Sequence, residues 1–233
     1  YVKNKSRYIA LQRDHSGPGQ GSIDDDGYKS LREDCLYFDS IHIDPWKKYQ
    51  NYEDGLKWTL EMIRFCFKIN PNLYYEIGTE EAIRKFEIEE IDRLLHDVKN
   101  NLEDNIFEKI LFCVIQSGTG LKDGKNIGSY QEEKLTQMNT IVKNYGLKTK
   151  EHNGDFMKEE IMIKRFKNSL DSLNIAPELG TLETNILLEN LKQKDIDYFY
   201  KLCYESKKWV KWFNKDFQPE KDKRKLIEVS GHY

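Results

Sequence analysis

The 233-residue sequence lacks any apolar run of transmembrane length, and no signal-peptide pattern is visible at its start. It also lacks a basic excess: 37 Lys and Arg stand against 40 Asp and Glu, a net charge of −3. Such a balance sets up no global field for nucleic acid or an anionic membrane surface. The basic cluster KDKRK near the end reads as a solvated segment. The four cysteines, Cys35, Cys66, Cys113 and Cys203, show no C-x-x-C spacing. They read as reduced thiols in a cytoplasmic protein rather than as a disulfide frame or zinc knuckle. Neither a P-loop nor a Rossmann glycine fingerprint is present. Solenoid repeats and low-complexity tracts are missing too, and aromatics at 12% argue against disorder.

What is present is alternation. Six short apolar runs end in polar residues: YIALQRDH (8–15), FDSIHID (38–44), LYYEIGTE (73–80), ILFCVIQSG (110–118), LKTKEHNGD (147–155) and LNIAPELG (173–180). Each has the length of a buried parallel strand. Helical patterns lie between them. YEDGLKWTLEMIRFCFKI places Leu56, Leu60, Ile63 and Phe67 on one face. EEIDRLLHDVKNNL, YQEEKLTQMNTIVKNYG and KEEIMIKRFKNSLDSL behave alike, with His96 inside the first as a surface residue. Strand–helix alternation predicts an α/β fold with a parallel sheet. Six strands fall short of the eight of a closed barrel, and the missing two would fit before Tyr1. After Gly180 the pattern turns helical and rich in Tyr, Trp and Lys. The expected organisation is a (β/α) barrel portion over residues 1–190 and a helical C-terminal extension over 191–233 packed on it. In the extension Trp209 and Trp212 are read as helix packing, and KLIEVSGHY as a further strand or an extended tail.

The polar residues always sit at the C-terminal ends of the strands. They are Asp14 and His15, then His42 and Asp44, then Glu76, Thr79 and Glu80. Gln116 and Ser117 follow, then Glu151, His152 and Asp155, and lastly Glu178. In a parallel α/β fold these ends converge on one face, where ligands bind. His42 and Asp44 are two apart and point to the same side, leaving Ile41 and Ile43 toward the helices. Up to three histidines with several carboxylates suit one divalent metal with N and O ligands. Such a metal would polarise a carbonyl, and a nearby carboxylate would move the proton. The loop GTGLKDGKNIGSY could cradle a phosphate through its backbone N–H groups or serve only as a long connection.

The order DHSGPGQ, FDSIHID, YYEIGTE, VIQSGT, KEHNGD, LNIAPELG resembles the class II D-tagatose-bisphosphate aldolase family of the accessory, "non-catalytic" subunit type. The resemblance runs from about Tyr8 to the end. It implies a TIM (β/α)8 barrel lacking its first two strands here, and ketose-phosphate chemistry by an aldolase or epimerase through an enediolate-type intermediate. Carried over residue by residue, it makes His15 and His152 metal ligands, Asp14 the neighbouring acid/base and Glu80 the match of the glutamate after Gly-Thr. The strand-end pattern adds Glu178 or His42 as possible further ligands and Asp44 as a third catalytic carboxylate. It also offers His42, Gln116, Ser117, Gly118, Glu151 and Asp155 as substrate contacts. Zinc is the favoured cofactor, with manganese or magnesium as alternatives. The implied partners are an anionic or phosphorylated sugar and a second copy or a second aldolase subunit. Two other readings stay open: a subunit that only stabilises a catalytic aldolase, and a sugar-binding protein without turnover. GPGQG in place of Gly-Pro-Asn, and Pro45-Trp46 in place of Ala-Ser after Asp44, point to a divergent member with a different sugar or acceptor.

Overall fold

A computed structural model describes residues 9–21, 25–122, 124–213 and 215–230. All six expected strands are present: β1 (Gln12–Ser16), β2 (Ser40–Ile43), β3 (Tyr74–Ile77), β4 (Ile110–Val114), and, after a small hairpin β5 (Leu121–Lys122) and β6 (Lys125–Asn126), β7 (Lys148–Glu151) and β8 (Ser172–Leu173). The six pair in the order β1-β2-β3-β4-β7-β8, every pair parallel. Between them run α1 (Tyr28–Tyr37), α2 (Tyr52–Ile69), α3 (Ile88–Asn101), the short α4 (Asp104–Phe107), α5 (Glu132–Asn144) and α6 (Glu159–Lys167). Then come α7 (Pro177–Asn190), α8 (Gln193–Ser206), a 3-10 turn at Lys208–Trp212 and α9 (Lys223–Ser230).

The sheet is curled. Flat, its edge strands would lie about 24 Å apart at ~4.8 Å per step. Instead Asn174, just past β8, donates from Nδ2 to Asp14 of β1 at 3.2 Å, and Lys150 of β7 reaches Gln12 of β1 at 3.4 Å. Side chains from both edges therefore meet inside the curve, and the architecture is a partial α/β barrel. Neither β1 nor β8 has a partner on its outer edge among the described residues.

The core lies between the outer face of the sheet and the helices. Ile41, Ile43, Tyr75, Ile77 and Cys113 pack there with Leu60, Ile63, Leu94, Leu135 and Met138. The period-two reading of β2 is borne out: Ile41 and Ile43 join this cluster while His42 turns inside. Helix α2 starts where Asn51 caps it, accepting from the N–H groups of Glu53 at 2.9 Å and Asp54 at 3.3 Å. Its buried face carries Leu56, Leu60, Ile63 and Cys66, and Phe67, expected there, is only half-buried beside it.

Three expectations about the C-terminal part change. The strand expected over 173–180 ends at Leu173, because Pro177 opens α7, a position where its missing N–H is harmless. The segment expected as a strand or tail is helical through Ser230, and its last three residues lie outside the described ones. Trp209 sits on a 3-10 turn rather than an α-helix and stacks on Tyr204 with centroids 5.9 Å apart. A second apolar cluster joins Leu188 of α7 to Cys203, Leu226 and Ile227. Among the described residues, no helix is long and apolar enough to cross a membrane.

Gly55 shows how tightly the mouth of the barrel is packed. It sits in α2, where glycine costs about 1 kcal/mol relative to alanine. A methyl group there would overlap the fully buried Trp46 indole. Gly55→Ala is therefore expected to lower stability by roughly 1–3 kcal/mol in urea titration despite the better helix propensity. A stabilised variant would show that Trp46 yields freely.

Candidate metal centre

Asp14 and His15 are adjacent, so a regular strand would send them to opposite faces. A bulge prevents this. Arg13 pairs with Ile41 and Ser16 with Ile43, three steps on β1 against two on β2. His15 takes up the extra residue at φ 44°, a left-handed conformation costly for a side chain with a Cβ. Both side chains then face the barrel mouth. Gly17 follows at φ 146° and packs so closely on the Asp44 carbonyl that a Cβ would stand 2.9 Å from its oxygen.

Three imidazoles gather there. Ring centroids are 4.8 Å apart for His15 and His42, and 5.0 Å for each with His152. Each ring has one nitrogen engaged away from the centre. His15 Nδ1 bonds the buried Asp44 carboxylate at 2.6 Å, and that carboxylate also accepts from Thr79 Oγ1 at 3.0 Å and the Trp46 N–H at 3.2 Å. His42 Nε2 donates to the Gly78 carbonyl at 2.9 Å. His152 Nε2 bonds the buried Glu76 carboxylate at 2.7 Å. In a neutral ring the second nitrogen then carries a lone pair, so His15 Nε2, His42 Nδ1 and His152 Nδ1 are all left as ligand atoms. An imidazole that ligates a metal is ordinarily held in this way, by a carboxylate or carbonyl on its other nitrogen.

Asp14 completes the group: its carboxylate and one nitrogen from each histidine all lie within 4.8 Å of one another. His152 Nδ1 is buried and makes no hydrogen bond, and His42 Nδ1 stands 3.3 Å from Asp14 Oδ1. His42 Nδ1 also accepts from the His15 N–H at 3.4 Å, and a proton or a metal cation at that nitrogen would each offset its repulsion from the Asp14 carboxylate. Glu80 Oε2 stands 3.6 Å from both His15 Nε2 and His152 Nδ1. Asp14, Asp44, Glu76 and Glu80 thus surround the three imidazoles, with Lys150 beneath them. Donor chemistry and charge both fit a divalent cation.

Without a cation the same charges act on protons. Burial alone would lower His15, but the hydrogen bonds to Asp44 and Glu80 push it up to about 10. Burial would likewise lower His152, and Glu76 and Glu80 raise it to about 9. Burial would raise Glu80, yet His15 and His152 bring it down to about 2. Asp14 is held well below the usual carboxylate range: the His42 hydrogen bond and the three histidine charges outweigh its burial.

The other expected site residues fall into two groups around an open cavity of about 560 Å³. Asp14, His15, Glu80, His152 and Asp155 line it, with Lys47, Asn153 and Asn174 among the neighbouring walls. Asp155 also holds the start of α7, accepting from the N–H groups of Ala176 and Glu178 at 2.8 Å each. Glu178 lies in the first turn of α7, not at a strand end, and accepts from the Phe156 N–H at 2.7 Å. It stands outside the Asp14–His15–His42–His152 group. Gln116 spends its side chain on the Phe86 N–H and the Thr79 and Arg84 carbonyls, all at 2.8 Å. Ser117 and Glu151 bond each other at 2.7 Å and are both held by the buried Arg165, which also donates to the Gly118 carbonyl at 3.0 Å. Gln116 thus ties the segment after β3, while Ser117, Glu151 and Arg165 brace the loop after β4.

The residues with no role assigned from sequence are Glu76 as the partner of His152, Lys150, Arg165 and Asn174. Strand alternation could have found Lys150, which lies two before His152 and so shares its side. Arg165 sits on α6, and no local signal marks it as buried.

A pH dependence follows. Both histidines have folded values raised above the ordinary 6.5, so their contribution to stability is full below about pH 6.5 and disappears as pH rises through 9 to 10. Chelator-treated protein should therefore show a melting temperature that falls between pH 6.5 and 10, and His152→Gln should flatten part of that fall. A profile flat across this window would contradict the geometry.

No protein-family model and no curated protein sequence matches the chain. Solved structures do. A probable tagatose 6-phosphate kinase from Sinorhizobium meliloti 1021 superposes with TM-score 0.67 at 12% identity, over 87% of this chain and 58% of that one. The native fructuronate–tagaturonate epimerase UxaE from Cohnella laeviribosi gives 0.62 at 11% identity, over 98% and 57%. Its glycerol complex gives 0.58 at 10% identity, over 93% and 56%. The chain thus spans less than two thirds of these proteins, and at such identities the likeness is one of fold: the partial α/β barrel is shared with them.

Proposed function

We propose that this chain carries the metal centre of a divalent-cation-dependent enzyme acting on ketose sugars with an anionic group, as an aldolase or an epimerase. The observation that carries the reading is the trio of imidazoles, each oriented by a separate buried acceptor so that its other nitrogen turns toward the others beside a cavity. The fold shared with a fructuronate–tagaturonate epimerase supports the same class.

In this reading His15, His42 and His152 hold the cation. When bound, the cation supplies Lewis acidity at a substrate carbonyl and so favours enediolate formation. The remaining roles belong to the chain. Glu80 is ionised, partly exposed and adjacent to two of the ligand nitrogens, which suits it to accept a proton from the substrate. Asp14 is half-exposed across the same opening and is the second proton carrier, steadied by the Asn174 amide. Asp44 and Glu76 touch no solvent and orient His15 and His152.

The test is a panel of ketose phosphates and keto-uronates incubated in D2O with zinc, manganese or magnesium and read by NMR. The expected outcome is product, or deuterium at a carbon beside the carbonyl, for at least one substrate. Glu80→Gln and Asp14→Asn should cut that rate by about 10²–10⁴-fold while leaving the metal bound. Neither product nor exchange with any metal would reject the enzyme reading.

A further inference from the structure

Beneath the three histidines lies a lysine that the mechanism above does not use. Lys150 precedes His152 by two on β7 and points into the barrel, with its side chain only 11% exposed. Its ammonium bonds Glu76 Oε2 at 2.6 Å and lies 3.4 Å from Gln12 Oε1. Gln12 in turn donates to the same Glu76 oxygen at 2.5 Å. The other oxygen of Glu76 bonds His152 Nε2 at 2.7 Å. Neither Lys150 nor Glu76 lines the cavity, so neither is placed to touch a substrate there.

The arrangement divides the carboxylate. One oxygen is saturated by Lys150 and Gln12 from the first and fifth strands of the curled sheet, which leaves the other for His152. Glu76 has no exposed surface. A buried carboxylate with half its oxygens unmatched would turn or recruit another donor, because an unpaired buried charge costs several kcal/mol. Turning it would release His152 Nε2–H, and the ring could then rotate its bare Nδ1 out of the centre.

We propose that Lys150 is a positioning residue for the metal centre: by holding one Glu76 oxygen it fixes the other on His152 Nε2–H, and so aims His152 Nδ1 at the site. This rests on the metal-centre reading. It makes a prediction opposite in sign to a simple charge argument. Removing a cation near a bound divalent metal should tighten binding by relieving repulsion. Losing an orienting partner of a ligand should weaken it by about 10–100-fold.

The experiment measures zinc affinity by competition with a chromophoric chelator for wild type, Lys150→Met, Lys150→Arg, Glu76→Gln and the Lys150→Met/Glu76→Gln double variant. Crystal structures of metal-free wild type and Lys150→Met accompany it. Lys150→Met is expected to bind zinc about 10–100-fold more weakly and to lose the Glu76–His152 bond in the crystal. Lys150→Arg should recover most of the affinity. In the Glu76→Gln background, adding Lys150→Met should change affinity by no more than about twofold, because the two act through one contact. Unchanged or tighter zinc binding in Lys150→Met, or losses that multiply in the double variant, would overturn the proposal. Should Lys150→Met fail to fold, Lys150→Gln keeps a polar head without the charge and is judged by the same outcomes. If wild type binds no zinc, the metal reading fails. The crystal comparison then still decides the positioning role by whether the 2.7 Å Glu76–His152 bond survives.

Discussion

The structure depends on one buried carboxylate. Glu76 lies at the centre of the curled sheet with no exposed surface, and it is bonded by Gln12, Lys150 and His152 from two other strands. Taking such a charge out of water costs several kcal/mol, and only a full set of partners offsets it. The partners come from β1 and β7, which are far apart in the sheet order. The sheet must therefore curl for the charge to be satisfied, and the same curl brings the histidines together. A hydrophobic interior of equal volume would have been at least as stable. Keeping an ionic one is intelligible if orientation, rather than stability, is what the interior provides.

The same logic repeats outward. Asp44 holds His15 and is itself held by Thr79 and the Trp46 N–H. The Gly78 carbonyl, exposed by a left-handed backbone at that glycine, holds His42. Three imidazoles are thus each fixed by a different acceptor from a different part of the frame. The left-handed backbone at His15 is a local cost of order 1–3 kcal/mol that brings a fourth ligand-type group, Asp14, to the same opening. Strain and buried charge gather at one end of the barrel, around the group of side chains that could hold a metal ion. The outer helices, Gly55 against Trp46 among them, pack as an ordinary apolar core.

Much of this was legible in the sequence. Apolar run length and polar strand ends marked all six parallel strands, and period two placed His42 inside with Ile41 and Ile43 outside. Three things were not. The bulge at Asp14–His15 needs the pairing register of two strands, which no local pattern carries. The bracing of Gln116, Ser117 and Glu151 depends on Arg165 and on the Arg84 loop, both distant in sequence, so polar strand ends that look like ligand contacts serve as ties. The turn from β8 into α7 was hidden because LNIAPELG is apolar enough to pass for a strand, although Pro177 at the first helical position is the signal that separates them.

The proposed function stands or falls on whether His15, His42 and His152 share one cation. The most direct measurement is metal content and location together: elemental analysis of purified protein, and anomalous diffraction from crystals grown with zinc or manganese. About one cation per chain is expected, with His15 Nε2, His42 Nδ1 and His152 Nδ1 as its nitrogen ligands. A protein that binds no divalent cation, or binds it away from these three nitrogens, would contradict it.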